Sequence, residues 1–203
     1  MIGVYRVFLV CLGVFCLSCF GATAKSMDSN LGKRKHPNNG YQIQSTKFKS
    51  DFSPIARKSV AFPSKYSAGT IVIRTSERRL YHVTAEGRAL AYGIGVGKTG
   101  FTWSGSNKIS RKAEWPGWTP PARMRAREAK KGRILPAYMP GGPNNPLGAR
   151  ALYIGSTIYR IHGTNQPWTI GHAMSSGCIR MANDDVKHLY ANVGVGTRVV
   201  VLR

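Results

Sequence analysis

Two short stretches carry residue types that do chemistry together: Tyr159-Arg160-Ile161-His162-Gly163-Thr164 and Ser175-Ser176-Gly177-Cys178-Ile179-Arg180. A thiol becomes a strong nucleophile when a neighbouring imidazole takes its proton and stabilises the thiolate. His162 closes an extended segment, and Cys178 follows after 15 intervening residues, enough for a loop that folds back. The run before the sulfur offers the backbone N–H groups of Ser176 and Gly177, and rigid N–H donors are what an oxyanion hole requires. Gly177 also permits close backbone approach and unusual dihedrals. Arg180, two residues past the thiol, can hold a substrate carboxylate through two parallel hydrogen bonds. The pattern points to a thiol nucleophile at Cys178, activated by the His162 imidazole, beside donors suited to an oxyanion.

The remaining cysteines and histidines do not compete for that role. Of four cysteines, Cys11, Cys16 and Cys19 lie in the first 24 residues, so Cys178 stands alone in the rest of the chain. One Cys with scattered His cannot supply a tetrahedral, Cys-rich zinc set. His172 reads as an exposed loop residue, His82 and His188 as structural or surface groups, and His36 as an inert residue of a tail. Trp103, Trp115 and Trp118 either line a lid over a cleft or pack the sheet.

Strand language surrounds the two motifs. Thr70–Arg74 is β-branched, Arg79–Val83 alternates with period two, and Ser76-Glu77 lies between them, which predicts a hairpin. Further strands are expected at Ala89–Val96, Asn107–Trp115, Ala151–Ile154, Ile158–His162 and Thr197–Leu202. Ala122–Lys131 holds helix formers with a poor apolar stripe, and Pro140–Gly148 reads as a long rigid loop. One helix is well signalled. Asn183 is placed as its N-cap, Asp184 and Asp185 complement the dipole, Val186, Leu189, Tyr190 and Val193 recur on one face, and Gly194 stops it. The domain is therefore expected to be mostly β with a minor helical part over 69–203.

What precedes that domain bears on the compartment. The chain has 203 residues, with 30 Lys+Arg against 8 Asp+Glu and a formal net charge of +22. Its 42% hydrophobic content rules out a wholly disordered basic tail protein. Met1–Ala24 carries one charge, Arg6, then an apolar run of 16 residues from Val7 to Ala22, then Ala22-Thr23-Ala24 followed by Lys25. A charged start, an apolar stretch too short to span a membrane and a small-residue exit predict a secretory signal peptide over 1–24. Removing it leaves 29 basic and 8 acidic residues, a net charge of +21. Residues 25–68 read as a basic flexible tail or linker, with Phe52–Tyr66 packing on the domain. In an exported chain that charge suits an anionic envelope surface, and nucleic acid is not an expected partner.

His-Gly-Thr, then Ser-x-Gly-Cys-Ile-Arg, then Asn183-x-Asp185 and Leu189-Tyr190 resemble the L,D-transpeptidase (YkuD) catalytic-domain family. Gly-Thr-Ile-Val-Ile from Gly69 and Asn145-Pro146-Leu147-Gly148 extend the resemblance over 69–203. The resemblance implies a mainly β, sandwich- or barrel-like fold, a Cys178 nucleophile, a His162 general base oriented by the Gly163 carbonyl, and no metal or organic cofactor. It implies peptidoglycan stem peptides as substrate. An acyl-enzyme thioester would form with release of D-alanine, and an amine acceptor would then take the acyl group, in wall cross-linking or in attachment of an envelope protein. That places the chain in cell-wall biogenesis and cell shape, in the periplasm or cell envelope. Water as acceptor would give an L,D-carboxypeptidase, and a wall-binding envelope protein without chemistry is the rival from another class. This chain departs from the family pattern at Ser176, which stands where a histidine is usual.

Overall fold

The computed structural model describes residues 51–101 and 103–203. The expected signal peptide, the basic stretch 25–50 and His36 lie outside the described residues. Eleven strands and two helices follow in chain order: β1 Lys58–Ala61, β2 Ile71–Arg74, β3 Arg79–Ala85, β4 Arg88–Gly93, β5 Val96–Gly97, β6 Gly105–Glu114, α1 Ala122–Ala129, β7 Arg150–Ile154, β8 Arg160–His162, β9 Ala173–Ser175, β10 Ile179–Arg180, α2 Asn183–Asn192 and β11 Arg198–Leu202. The mainly β class expected from the sequence is the one found.

Nine strands hydrogen-bond in the order β1-β4-β3-β2-β11-β6-β7-β8-β10, while β5 and β9 form a separate parallel pair. Most neighbours are antiparallel, but β2 pairs with β11 and β8 with β10 in parallel. Strand β6 joins the two halves. Its first part pairs with β11 and its second part with β7, with a shift of register between Ile109 and Arg111. Strands that switch partners at such an irregularity make the corners of sandwich-like folds.

The core explains why β2 reads as an unbroken apolar run rather than a simple alternation. Ile71 and Ile73 join a large cluster with Leu80, Ile109, Leu152 and Ile161, whereas Val72 belongs to a smaller cluster with Phe62, Val83 and Ala89. Both faces of this strand are buried, so both carry apolar residues. Helix α2 adds Val186 and Leu189 to the large cluster.

Three expectations need correcting. Asn183 is not the N-cap of α2 but its first residue; Ala182 caps it, without a side-chain hydrogen bond. The expected strand Ala89–Val96 breaks at Ile94-Gly95 into β4 and β5, which take different partners. The sheet also starts before Gly69. Within the stretch read as tail or linker, β1 pairs with β4 from Lys58↔Ala91 to Ala61↔Arg88, and Arg57 Nη1 meets Asp184 at 2.7 Å and Asp185 at 3.1 Å on α2. Lys58-Ser59-Val60-Ala61 is too short and polar to announce a strand, and it is held as an edge by backbone pairing and that ion pair.

Candidate active site

The two motifs meet at one end of the large sheet. Strands β8 and β10 run parallel, with Ile179 beside Ile161 and Arg180 beside His162. Ile161 and Ile179 are buried in the core. Side chains alternate across a strand, so Arg160 and His162 share the opposite face, and Arg180 lies on that face beside His162. Continuing the alternation one step back from β10 brings Cys178 to it as well. The loop between the motifs contributes a short 3-10 turn at Pro167–Thr169 and β9 before returning to the sheet edge.

The turn that presents the thiol is knitted by Ser175. Its buried hydroxyl donates to the Cys178 carbonyl at 2.6 Å and accepts the Gly177 N–H at 3.1 Å. The N–H of Gly177, expected to face a developing oxyanion, is therefore spent inside the turn. Glycine is required at 177 for geometric reasons: its φ is +108°, and a Cβ there would lie 2.5 Å from Tyr159 Cε1. Tyr159 in turn stacks on Trp103, with ring centroids 4.8 Å apart. Ser176 is half-buried, and its Oγ accepts a hydrogen bond from Arg127 Nη2 on α1 at 3.1 Å.

His162 is buried, and its Nδ1 lies 2.6 Å from the Gly163 carbonyl. A carbonyl only accepts, so Nδ1 carries the proton and Nε2 is left as the basic nitrogen. Burial pulls the imidazole down to about 3. The cations of Arg180 and Arg160 add to that fall, while the Gly163 and Leu147 carbonyls oppose it. The ring is thus a neutral base across the ordinary pH range. Burial pushes the Cys178 thiol up, against the pull of the Arg160 and Arg180 cations. Thiol and imidazole are thus both neutral at rest, and the cations of Arg160 and Arg180 act on each of them, while the thiol itself faces the Ile158 carbonyl at 3.9 Å. Burial lowers the pKa of Arg180, and the Nε atoms of both Arg160 and Arg180 are buried without a protein partner.

Asn183 fixes the loops around His162. Its Oδ1 accepts the Ala149 N–H at 2.9 Å and the Thr164 N–H at 3.3 Å, while Nδ2 donates to Asp51 Oδ1 at 3.0 Å. A Cβ on either Gly148 or Gly163 would sit 2.3 Å from that oxygen, so both loops approach it as glycine backbone.

Other residues singled out from sequence lie elsewhere. His172 is exposed and takes part through its carbonyl, which accepts the Val96 N–H at 3.1 Å. His82 is buried and lowered by burial and by His188, whose Nδ1 pairs with the Tyr92 hydroxyl at 2.9 Å. Trp118 bridges to Met139 through its backbone, and Trp115 adopts a positive φ of 38°. Among the described residues no three His, Cys, Asp or Glu side chains converge to hold a metal ion. Sequence reasoning missed Arg160, Ser175, Asn183 and Arg127 as site residues. Only Arg160 had a legible signal, standing two positions before His162 on a strand and so on its face.

Comparisons with known proteins give the family and the fold. Residues 68–201 match the sequence model of the YkuD family, described as the L,D-transpeptidase catalytic domain. "Probable L,D-transpeptidase ErfK/SrfK" of Escherichia coli is 44% identical over 137 residues, covering 65% of this chain and 43% of that protein. "Probable L,D-transpeptidase YbiS" of the same species is 44% identical over 134 residues, covering 64% and 43%. The chain thus spans less than half the length of these relatives. Among solved structures, an L,D-transpeptidase from Mycobacterium tuberculosis superposes with a TM-score of 0.51 at 16% identity, covering 66% of this chain and 57% of that one, a likeness of fold.

Proposed function

The chain belongs to the L,D-transpeptidase (YkuD) catalytic-domain family, and from that premise we propose that it is an exported cysteine acyltransferase of peptidoglycan stem peptides. In the proposed reaction the basic Nε2 of His162 takes the Cys178 proton as the sulfur attacks the carbonyl of the third stem residue. The resulting imidazolium returns that proton to the departing D-alanine amine, and a thioester remains. An incoming amine, losing its proton to His162, resolves the thioester into a new amide and restores the thiol. Arg160 and Arg180 offset negative charge on sulfur while it exists. The observation that carries this reading is the parallel pairing of β8 and β10, which sets Arg180 beside His162 and brings the thiol-bearing turn to the same sheet edge.

The proposed location is the periplasm, reached through a signal peptide over 1–24, with the basic residues 25–50 near the anionic envelope. Among the described residues no helix is long and apolar enough to cross a membrane. The test is incubation with a defined tetrapeptide-bearing muropeptide and an amine acceptor, with mass spectrometry of the products. Release of D-alanine with a new cross-link supports the reading. An intact donor, in the presence of folded protein, refutes it.

A further inference from the structure

The segment between β6 and β7 delivers an unusual concentration of charge to the nucleophile turn. From Ala122 to Arg133 it holds Arg123, Arg125, Arg127, Lys130, Lys131 and Arg133 against a single acid, Glu128. Helix α1 buries none of its residues, so hydrophobic packing does not explain its position. Arg127 does connect it to the site. Its Nη2 donates to Ser176 Oγ at 3.1 Å, and its guanidinium lies 5.7 Å from the centre of the Phe101 ring. Phe101 belongs to the wall of the same turn, since its carbonyl is 2.9 Å from where a Gly177 Cβ would stand.

The charge of Arg127 is not neutralised there. Glu128 accepts from Arg127 Nε at 3.2 Å but is shared with Lys131 Nζ at 3.5 Å and with Arg133 Nη2. One carboxylate thus serves three cations, and the edge of Arg127 that faces the nucleophile turn rests on a neutral hydroxyl. A carboxylate brings the opposite charge and can take two parallel N–H bonds from a guanidinium, which a hydroxyl cannot, so one arriving at this edge would displace or share the serine contact. Ser176 makes the contact possible, being small and an acceptor.

We propose that Arg127 is a substrate-binding residue that takes a free carboxylate of a stem peptide bound beside Cys178, using Ser176 Oγ as its seat. The inference rests on the stem-peptide reading of the site. The carboxylate could belong to the donor stem or to the acceptor stem, and the two sources are separable.

Affinity is measured on Cys178→Ala protein, which cannot turn over, for donor and acceptor stem peptides with the side-chain carboxylate free or amidated. The same four peptides are then titrated against Cys178→Ala/Arg127→Gln protein. In the single variant the free form should bind about tenfold or more tightly than the amidated form in one arm, which identifies the source. Arg127→Gln should reduce that preference to about twofold or less, and Arg127→Lys, which keeps charge but not the fork, should retain part of it. Indifference to amidation in both arms overturns the proposal. So does an undiminished preference in the Arg127→Gln protein, or an equal loss for free and amidated forms, which would mark a structural role. Failure of the activity itself would show differently, as absence of D-alanine release by wild-type protein whatever the binding preference.

Discussion

Replacing Asn183 by alanine separates two accounts of one residue. If Asn183 were a helix N-cap, the loss would be about 1 kcal/mol. The structure gives it other work: its Oδ1 accepts two backbone N–H groups, from Ala149 and Thr164, that flank the glycines packed against it. Alanine would leave both donors buried without a partner. At about 1–3 kcal/mol for each orphaned group, and with the 3.3 Å bond to Thr164 the weaker, the total should be about 2–4 kcal/mol. For a fold of this size each kcal/mol lowers Tm by about 2–4 °C, so the expected shift is about 5–15 °C. The comparison variant is Asp51→Ala, which removes only the partner of Nδ2 and a surface ion pair with Lys187 at 3.2 Å, a loss of at most about 1 kcal/mol. The assay is thermal unfolding of both variants by circular dichroism. Equal, small shifts would refute the clamp and restore the capping role.

Other expectations follow from the buried charges around the site. Because the folded-state pKa of His162 is depressed to about 3, the unfolded chain binds a proton there below about pH 6.5 while the native chain does not. Stability from this group is therefore complete above pH 6.5 and falls by about 1.4 kcal/mol per unit as pH drops toward 3, with His82 acting in the same direction. Urea denaturation between pH 7 and 5 measures this, and a flat profile would contradict the buried neutral imidazole. Arg160→Gln should slow alkylation of Cys178 by iodoacetamide at pH 8 by about tenfold, since a cation that lowers the thiol pKa is removed. An unchanged rate would remove Arg160 from the site.

The parts legible in the sequence were those governed by local pattern. The apolar face of α2 follows from the spacing of Val186, Leu189 and Val193, all buried, and β2, β3 and β11 announce themselves by β-branched or alternating residues. His162 and Cys178 stand out because their residue types are rare and ordered. What stayed hidden depends on partners far along the chain. Strand β1 exists because β4 offers it an edge and Asp184 offers Arg57 a counter-ion. Asn183 carries a good cap signature, but its side chain answers to Ala149 and Thr164 across the fold. Gly177 seemed suited to donate to an oxyanion; Ser175, two residues away, takes that N–H, a competition that residue types alone do not decide. Arg127 lies 49 positions from Ser176, and nothing local ties them.

The central claim is that Cys178 becomes acylated by a stem peptide with loss of D-alanine. Intact-mass analysis of protein quenched during turnover of a tetrapeptide donor, without added amine, tests it most directly. Wild type should carry one adduct equal to the donor mass less D-alanine, mapped by digestion to the peptide containing Cys178, and Cys178→Ala should carry none. D-alanine release by the Cys178→Ala protein, or an adduct mapped to any other residue, would contradict the account.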